Sequence, residues 1–200
     1  MKVIGITGSS GSGKTTLTNI LKTKYNFEII NADDIVKEFS MPGTEYLQKI
    51  KEKFGEEIFF EDGTLNRKKL ANKIYTNNED LENLNKLTFK YIIDEIKQRV
   101  LNIKQKLYDP TKCIIIDAPL LFESNLDEEC DCIITLIANE QIKINRICRR
   151  DNVTKEIAYK RLKIQQNDEF YIEKSDFVIE NNDENLLEKN IEEIINQILM

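Results

Sequence analysis

The 200-residue chain contains no histidine. That absence removes Ser-His and Cys-His nucleophilic pairs and leaves Asp and Glu as the only ordinary general bases. The four cysteines, Cys113, Cys130, Cys132 and Cys148, lack C-x-x-C spacing, and without histidine they complete no mixed metal site, so they read as reduced thiols with no shared task. Basic charge is not in excess either. Against 35 acidic residues there are 29 basic ones, scattered along the chain, for a net charge of −6, which argues against a nucleic-acid partner. No apolar run approaches membrane-spanning length, and Met1 leads straight into an apolar strand rather than an export segment, so a cytoplasmic protein with no membrane partner is expected. A hydrophobic content of 40% over this length suits one α/β domain with small insertions. The enrichment in Asn, Ile and Lys is spread throughout and carries no functional reading.

Glycine is scarce, yet three of the seven fall in one loop. Residues Gly8-Ser9-Ser10-Gly11-Ser12-Gly13-Lys14-Thr15 form a complete G-x-x-x-x-G-K-[ST] phosphate-binding pattern. Lys2 to Thr7 before it reads as a buried parallel strand, and Leu17, Ile20 and Leu21 after it fall at helical spacing. In such a loop, backbone N–H groups curl around the β-phosphate, the lysine reaches the β- and γ-phosphates and the hydroxyl meets Mg²⁺. Gly8, Gly11 and Gly13 permit the close approach, and the following helix adds the positive end of its dipole.

Further apolar runs predict strands at Phe27–Ile30, Cys113–Asp117, Cys132–Ile137 and Phe177–Glu180. Between residues 35 and 112 no strand is evident. The clearest segment there is a helix from Leu81 to Leu107, with Leu81, Leu84, Thr88, Tyr91, Ile92, Ile96, Val100, Ile103 and Leu107 on one face. Residues 141 to 174 form a charged helical segment, and Leu186 to Ile198 trace a closing amphipathic helix. Alternating strands and helices imply an α/β fold: a five-stranded parallel sheet covered on both faces, with ligands outside the carboxyl ends of the strands.

Phosphoryl transfer asks the protein to position, to neutralise charge and to orient the attacking oxygen. Lys14 and the loop amides can hold the phosphates, with Thr15 on Mg²⁺. Asp33, at the end of the second strand, is either the base for an acceptor hydroxyl or the N-cap of a helix starting at Ile35, a task for which Asp34 is better placed. Asp117 either supports Mg²⁺ or forms a turn before Pro119. Arg146, Arg149 and Arg150 either close over the nucleotide or lie on a solvated helix; Arg146 and Arg150 share a face and are the favoured pair.

An ordered series of segments resembles the dephospho-CoA kinase family. It comprises Ile4 to Thr16, Asn31-Ala32-Asp33, Pro42-Gly43, Phe54-Gly55, Asp62-Gly63-Thr64-Leu65-Asn66-Arg67, Leu84-Asn85, Asp117-Ala118-Pro119-Leu120-Leu121-Phe122-Glu123, Arg146 to Arg150, Gln165 and Asp176 to Asn181. The resemblance implies a P-loop kinase fold and transfer of the ATP γ-phosphate to the 3′-hydroxyl of dephospho-CoA. It implies Asp33 as catalytic base beside Lys14 and Arg146, and Gly8, Gly11, Ser12, Gly13, Lys14, Thr15 and Thr16 on ATP with Arg150. Asn181 falls near the adenine. Within one kinase domain of residues 1–200 it implies a core of 1–34, 111–140 and 175–200, a helical acceptor-binding region of about 35–110 that includes Arg67, and a lid of about 141–174. Pro119, Leu120 and Glu123 belong with the substrate site, and Thr15 and Asp117 with the metal. The chain departs from the family at Phe89-Lys90, where His-Pro is usual, at Asn31, where the first aspartate of the motif stands, and at Asp183, where glycine is usual. Another P-loop kinase acting on a nucleoside or nucleotide, or a nucleotide-sensing P-loop protein, is the alternative reading.

Overall fold

A computed structural model of the chain describes residues 1–75, 77–106, 109 and 112–200. Along it run β1 (Lys2–Thr7), α1 (Lys14–Tyr25), β2 (Glu28–Asn31), α2 (Ala32–Phe39), α3 (Glu45–Phe54), α4 (Arg67–Tyr75), α5 (Asn78–Lys106), β3 (Cys113–Asp117), β4 (Cys132–Ile137), α6 (Glu140–Asp151), α7 (Lys155–Lys163), α8 (Asp168–Lys174), β5 (Phe177–Glu180) and α9 (Glu184–Leu199). Two compact units result, Met1–Ile30 with Val100–Met200, and Asn31–Arg99.

The first unit holds a five-stranded parallel sheet in the order β2-β3-β1-β4-β5. β1 is central, with Ile6 opposite Asp117 on β3 and Thr7 opposite Thr135 on β4. From β1 the chain goes to the edge strand β2, returns to β3 beside β1 and then crosses to β4 and β5 on the other side, so the carboxyl end of β1 lies at the position where open parallel sheets bind ligands. Ile4, Ile6, Ile115, Ile134, Leu136 and Ile179 face a core completed by Leu17 and Leu21 of α1 and Leu187, Ile191 and Ile195 of α9. On the other face Gly5 lies so close to Leu121 and Cys130 that an added Cβ would meet each at 2.9 Å. Burial pushes the Cys130 thiol on this face up to about 12 and the Cys132 thiol, which packs against the first core, to about 11, so both stay protonated near neutrality.

Four strands match their predicted limits, while β2 begins one residue late. Asn26 ends α1 in the left-handed region (φ 54°), and Phe27 still donates its N–H to Leu21 at 3.2 Å, so the extended run starts at Glu28. The charged helical segment 141–174 consists of three helices. Asn152 (φ 52°) closes α6, Thr154 caps α7 through the Ile157 N–H, and Asn167 caps α8 through the Phe170 N–H. Asparagine thus has a local use here that its even spread conceals. Among the described residues no helix is long and apolar enough to cross a membrane.

The second unit is helical, with an isolated antiparallel bridge between Phe59 and Leu65. The turn between them is made by Asp62, which accepts from the Thr64 N–H at 2.9 Å, and by Gly63 at φ 79°. Tyr46, Leu47, Ile50, Phe54, Ile58 and Leu70 form its core. The long helix there starts at Asn78, three residues before Leu81, because Glu79 and Asp80 complete its first turn. Leu107, the expected last residue of its apolar face, lies outside the described residues.

The two faces of α9 give a direct check on this core. Ile191→Ala, at 1% exposure, should cost roughly 2–5 kcal/mol in urea unfolding. Leu186→Ala, at 52% exposure on the same helix, should stay within about 0.5 kcal/mol. Equal losses would contradict the placement.

Candidate active site

The glycine loop joins the carboxyl end of β1 to α1. Gly13 is the N-cap of α1 at φ 109°, with no side-chain cap and no acidic residue in the first turn. By contrast α2, α3, α6, α7, α8 and α9 each have a side chain accepting from a first-turn N–H. The positive end of α1 is therefore left to an external anion. Lys14 curls back over the loop, donating to the carbonyls of Gly8 (2.5 Å) and Ser9 (3.2 Å). Thr15 and Thr16 are exposed at the same helix end.

Other parts of the first unit hold the loop from outside. A Cβ at Gly8, where φ is 130°, would meet the Leu136 carbonyl oxygen at 2.3 Å. At Gly11 it would meet the Lys143 carbonyl oxygen at 2.6 Å, and at Gly13 the Asn181 amide nitrogen at 2.1 Å. Polar contacts follow the same path. The buried Asn181 donates to the Ser12 carbonyl at 2.7 Å. Arg146 donates to the carbonyls of Gly11 (3.3 Å) and Asn181 (3.1 Å). Gln165 accepts the Ser10 N–H at 2.9 Å. Lys143 donates to both oxygens of Asp168 at 2.9 Å, and the Ser9 hydroxyl reaches the same carboxylate at 3.5 Å.

These contacts place several of the predicted residues. Asn181 and Arg146 converge on the loop, where they engage its backbone. Arg150 lies at the exposed end of α6, donating to both oxygens of Asp151 (2.7 and 3.0 Å), which Arg161 also reaches at 2.6 Å. Arg150 first, with Arg161, holds the Asp151 carboxyl below its usual range. Asp117 is 7% exposed at the end of β3, one strand from the loop. The Pro119 carbonyl accepts from the Thr7 hydroxyl at 3.4 Å, and Leu120 is exposed. Glu123 keeps one carboxylate oxygen buried without a hydrogen bond. Burial, then Glu123 and Asp168, pushes the Tyr171 phenol up to about 12.

In the second unit, α2 starts at Ala32 rather than Ile35, and its N-cap is Asn31, which accepts from the Asp34 N–H at 3.1 Å. Asp34 is thus not the cap; it pairs with Lys37 at 2.7 Å. The strand end supplies the capping oxygen itself, which leaves the exposed Asp33 carboxylate outside any cap. Arg67 is the exposed first residue of α4. Lys90, in the departing Phe89-Lys90 pair, joins Phe39, Tyr46 and Tyr91 around a cavity of about 560 Å³. In the first unit Asp183 caps α9, a use for the aspartate that replaces glycine. Sequence reasoning did not single out Lys143 or Asp168. The available signal was spacing, since Lys143 lies three residues before Arg146 on one helix face.

The family model for dephospho-CoA kinase matches residues 2–197. A dephospho-CoA kinase of Fusobacterium nucleatum is 37% identical over 98% of this chain and 94% of its own. One from Listeria innocua is 35% identical over 97% and 94%. A solved structure of dephospho-CoA kinase from Campylobacter jejuni superposes with a TM-score of 0.68 at 25% identity, covering 98% of this chain and 96% of that one. A phosphate-binding loop on the central strand of a five-stranded parallel sheet and a match over nearly every residue lead to one conclusion: the chain belongs to the dephospho-CoA kinase family of ATP-dependent kinases.

Proposed function

We propose that this protein transfers the γ-phosphate of ATP to the 3′-hydroxyl of dephospho-CoA, giving coenzyme A and ADP in the cytosol. The observation that carries the reading is the α1 N-terminus, left without a side-chain cap behind a glycine loop that the rest of the unit shapes. Loop amides and the helix dipole bind the β-phosphate, and Lys14 exchanges its carbonyl partners for phosphate oxygens. Arg150 and Arg161 would approach the phosphates from the lid, residues 141–174, by releasing Asp151. Residues 35–110, with Arg67, take the acceptor; the separate compactness of Asn31–Arg99 supports that division. Pro119, Leu120 and Glu123 complete the substrate site.

The acceptor oxygen attacks the γ-phosphorus, its bond to that phosphorus forms as the bond to the ADP oxygen breaks, and the hydroxyl proton passes to Asp33. With no histidine in the chain, a carboxylate has to take this part. Mg²⁺ fits the residues present. Thr15 and Asp117 offer hard oxygen donors at the ends of adjoining elements, and Mg²⁺ uses one or two protein oxygens with water and phosphate filling the remainder. When bound, it neutralises phosphate charge.

Two substitutions test these roles. Asp33→Asn should lower kcat by roughly 10² or more while ATP affinity holds, since general-base catalysis contributes on that scale. The check is acceptor-dependent turnover with coenzyme A identified by mass. Near-normal turnover in the variant would instead favour an acceptor that is already ionised, such as a nucleotide phosphate. Lys14→Ala should abolish both transfer and tight binding in calorimetric ATP titrations. An unchanged titration would remove Lys14 from the phosphate site.

A further inference from the structure

We propose that Lys143 is a positioning residue for the nucleotide, acting through Asp168 to set the glycine loop in its anion-receiving shape. The inference rests on ATP binding at this loop and is independent of the acceptor's identity.

Lys143 occupies α6 with only 7% exposure. Lysines are almost never this buried unless paired, and Lys143 is paired through two hydrogen bonds to one carboxylate. Such a pair is weak as a source of stability, because desolvation cancels most of its attraction, so what it positions matters more. It ties α6 to the first residue of α8, just after the turn that follows α7, and both partners abut the loop. The Lys143 backbone leaves no room for a side chain at residue 11, and the Asp168 carboxylate reaches the Ser9 hydroxyl at 3.5 Å. From the same turn Gln165 holds the Ser10 N–H. Ser9, Ser10 and Gly11 are thus fixed by one assembly whose internal joint is the Lys143–Asp168 pair.

Charge gives the joint a second task. Asp168 is a carboxylate beside a loop that receives a polyanion, and Lys143 cancels its charge where repulsion would otherwise oppose the phosphates. Removing Lys143 both loosens the turn and exposes that repulsion. Removing the Asp168 charge as well takes away the repulsion and leaves only the loosened turn.

The experiment is ATP titration without acceptor, together with thermal unfolding and steady-state kinetics, for wild type, Lys143→Met, Asp168→Asn and the double variant. Lys143→Met should weaken ATP binding about ten-fold, the scale of coupling between side chains in direct contact. Its kcat at saturating ATP should stay within about two-fold of wild type, because the loss lies in ground-state binding. The double variant should recover most of the affinity. Lys143→Met with wild-type ATP affinity and a lowered Tm would overturn the proposal, making the pair structural only. No recovery in the double variant would overturn the charge argument. Should Lys143→Met fail to fold, Gln165→Ala decides: several-fold weaker ATP binding at nearly unchanged Tm supports the assembly, and unchanged binding refutes it. A failure of the dephospho-CoA assignment would leave all of these titrations unaffected.

Discussion

The architecture of the first unit turns on how closely the backbone of residues 8 to 13 passes three other stretches of chain. Against Leu136, Lys143 and Asn181 there is no space for a β-carbon, so these three glycines are required by distance as well as by positive φ. That proximity lets carbonyl groups of the loop meet donors from outside it. Arg146 takes the Gly11 carbonyl and Asn181 the Ser12 carbonyl, so these two carbonyls face protein donors behind a helix end that has no side-chain cap. Donors and close packing from the rest of the unit hold the loop backbone, and a loop held by its own chain has less ordering cost to meet on binding.

The lack of histidine places an unusual load on carboxylates, and the sequence answers it by giving structural tasks to asparagine. Asn26 and Asn152 close helices in the left-handed region, and Asn31, Asn139 and Asn167 open others. At the end of β2 the effect bears on chemistry. A capping aspartate there would add a third carboxylate to Asp33 and Asp34. Neutral Asn31 caps the helix without that charge.

Much of the fold could be read from the sequence because parallel strands buried on both faces appear as apolar runs, as β1, β3 and β4 do, and the edge strand β5 keeps a short run of its own although Val178 is exposed. The glycine pattern and its flanks likewise identified the phosphate loop. What escaped was whatever depended on contact across the chain. Arg146 and Asn181 stood out as residues for a nucleotide, yet 135 residues separate Arg146 from the carbonyl at Gly11 that it holds, and no local pattern encodes that pairing. Lys143 looked like one more cation on a charged helix, although its side chain is buried. The breaks between α6, α7 and α8 were hidden because their caps are ordinary polar residues inside a charged run. Asp34 was misread as a cap because two adjacent acids before an apolar residue satisfy the local rule, and the true cap was counted as the end of a strand.

A chain of net charge −6 that binds triphosphate must concentrate positive potential locally. Here the partner of each cation decides whether it contributes. Lys143 is neutralised by Asp168, while Arg150 and Arg161 share Asp151, whose single charge offsets one of their two. Lys14 and Arg146 donate to loop carbonyls, which are dipoles rather than full charges. Together with the α1 dipole they bring positive charge to the loop of an acidic protein, at a range shorter than the Debye length of about 8 Å at physiological salt. Affinity for the nucleotide therefore depends on the arrangement within this short radius, and overall charge is a poor guide to it. An arginine tied to a carboxylate becomes useful to phosphate only when that carboxylate lets go, and in the proposed lid Asp151 is the carboxylate that holds both Arg150 and Arg161.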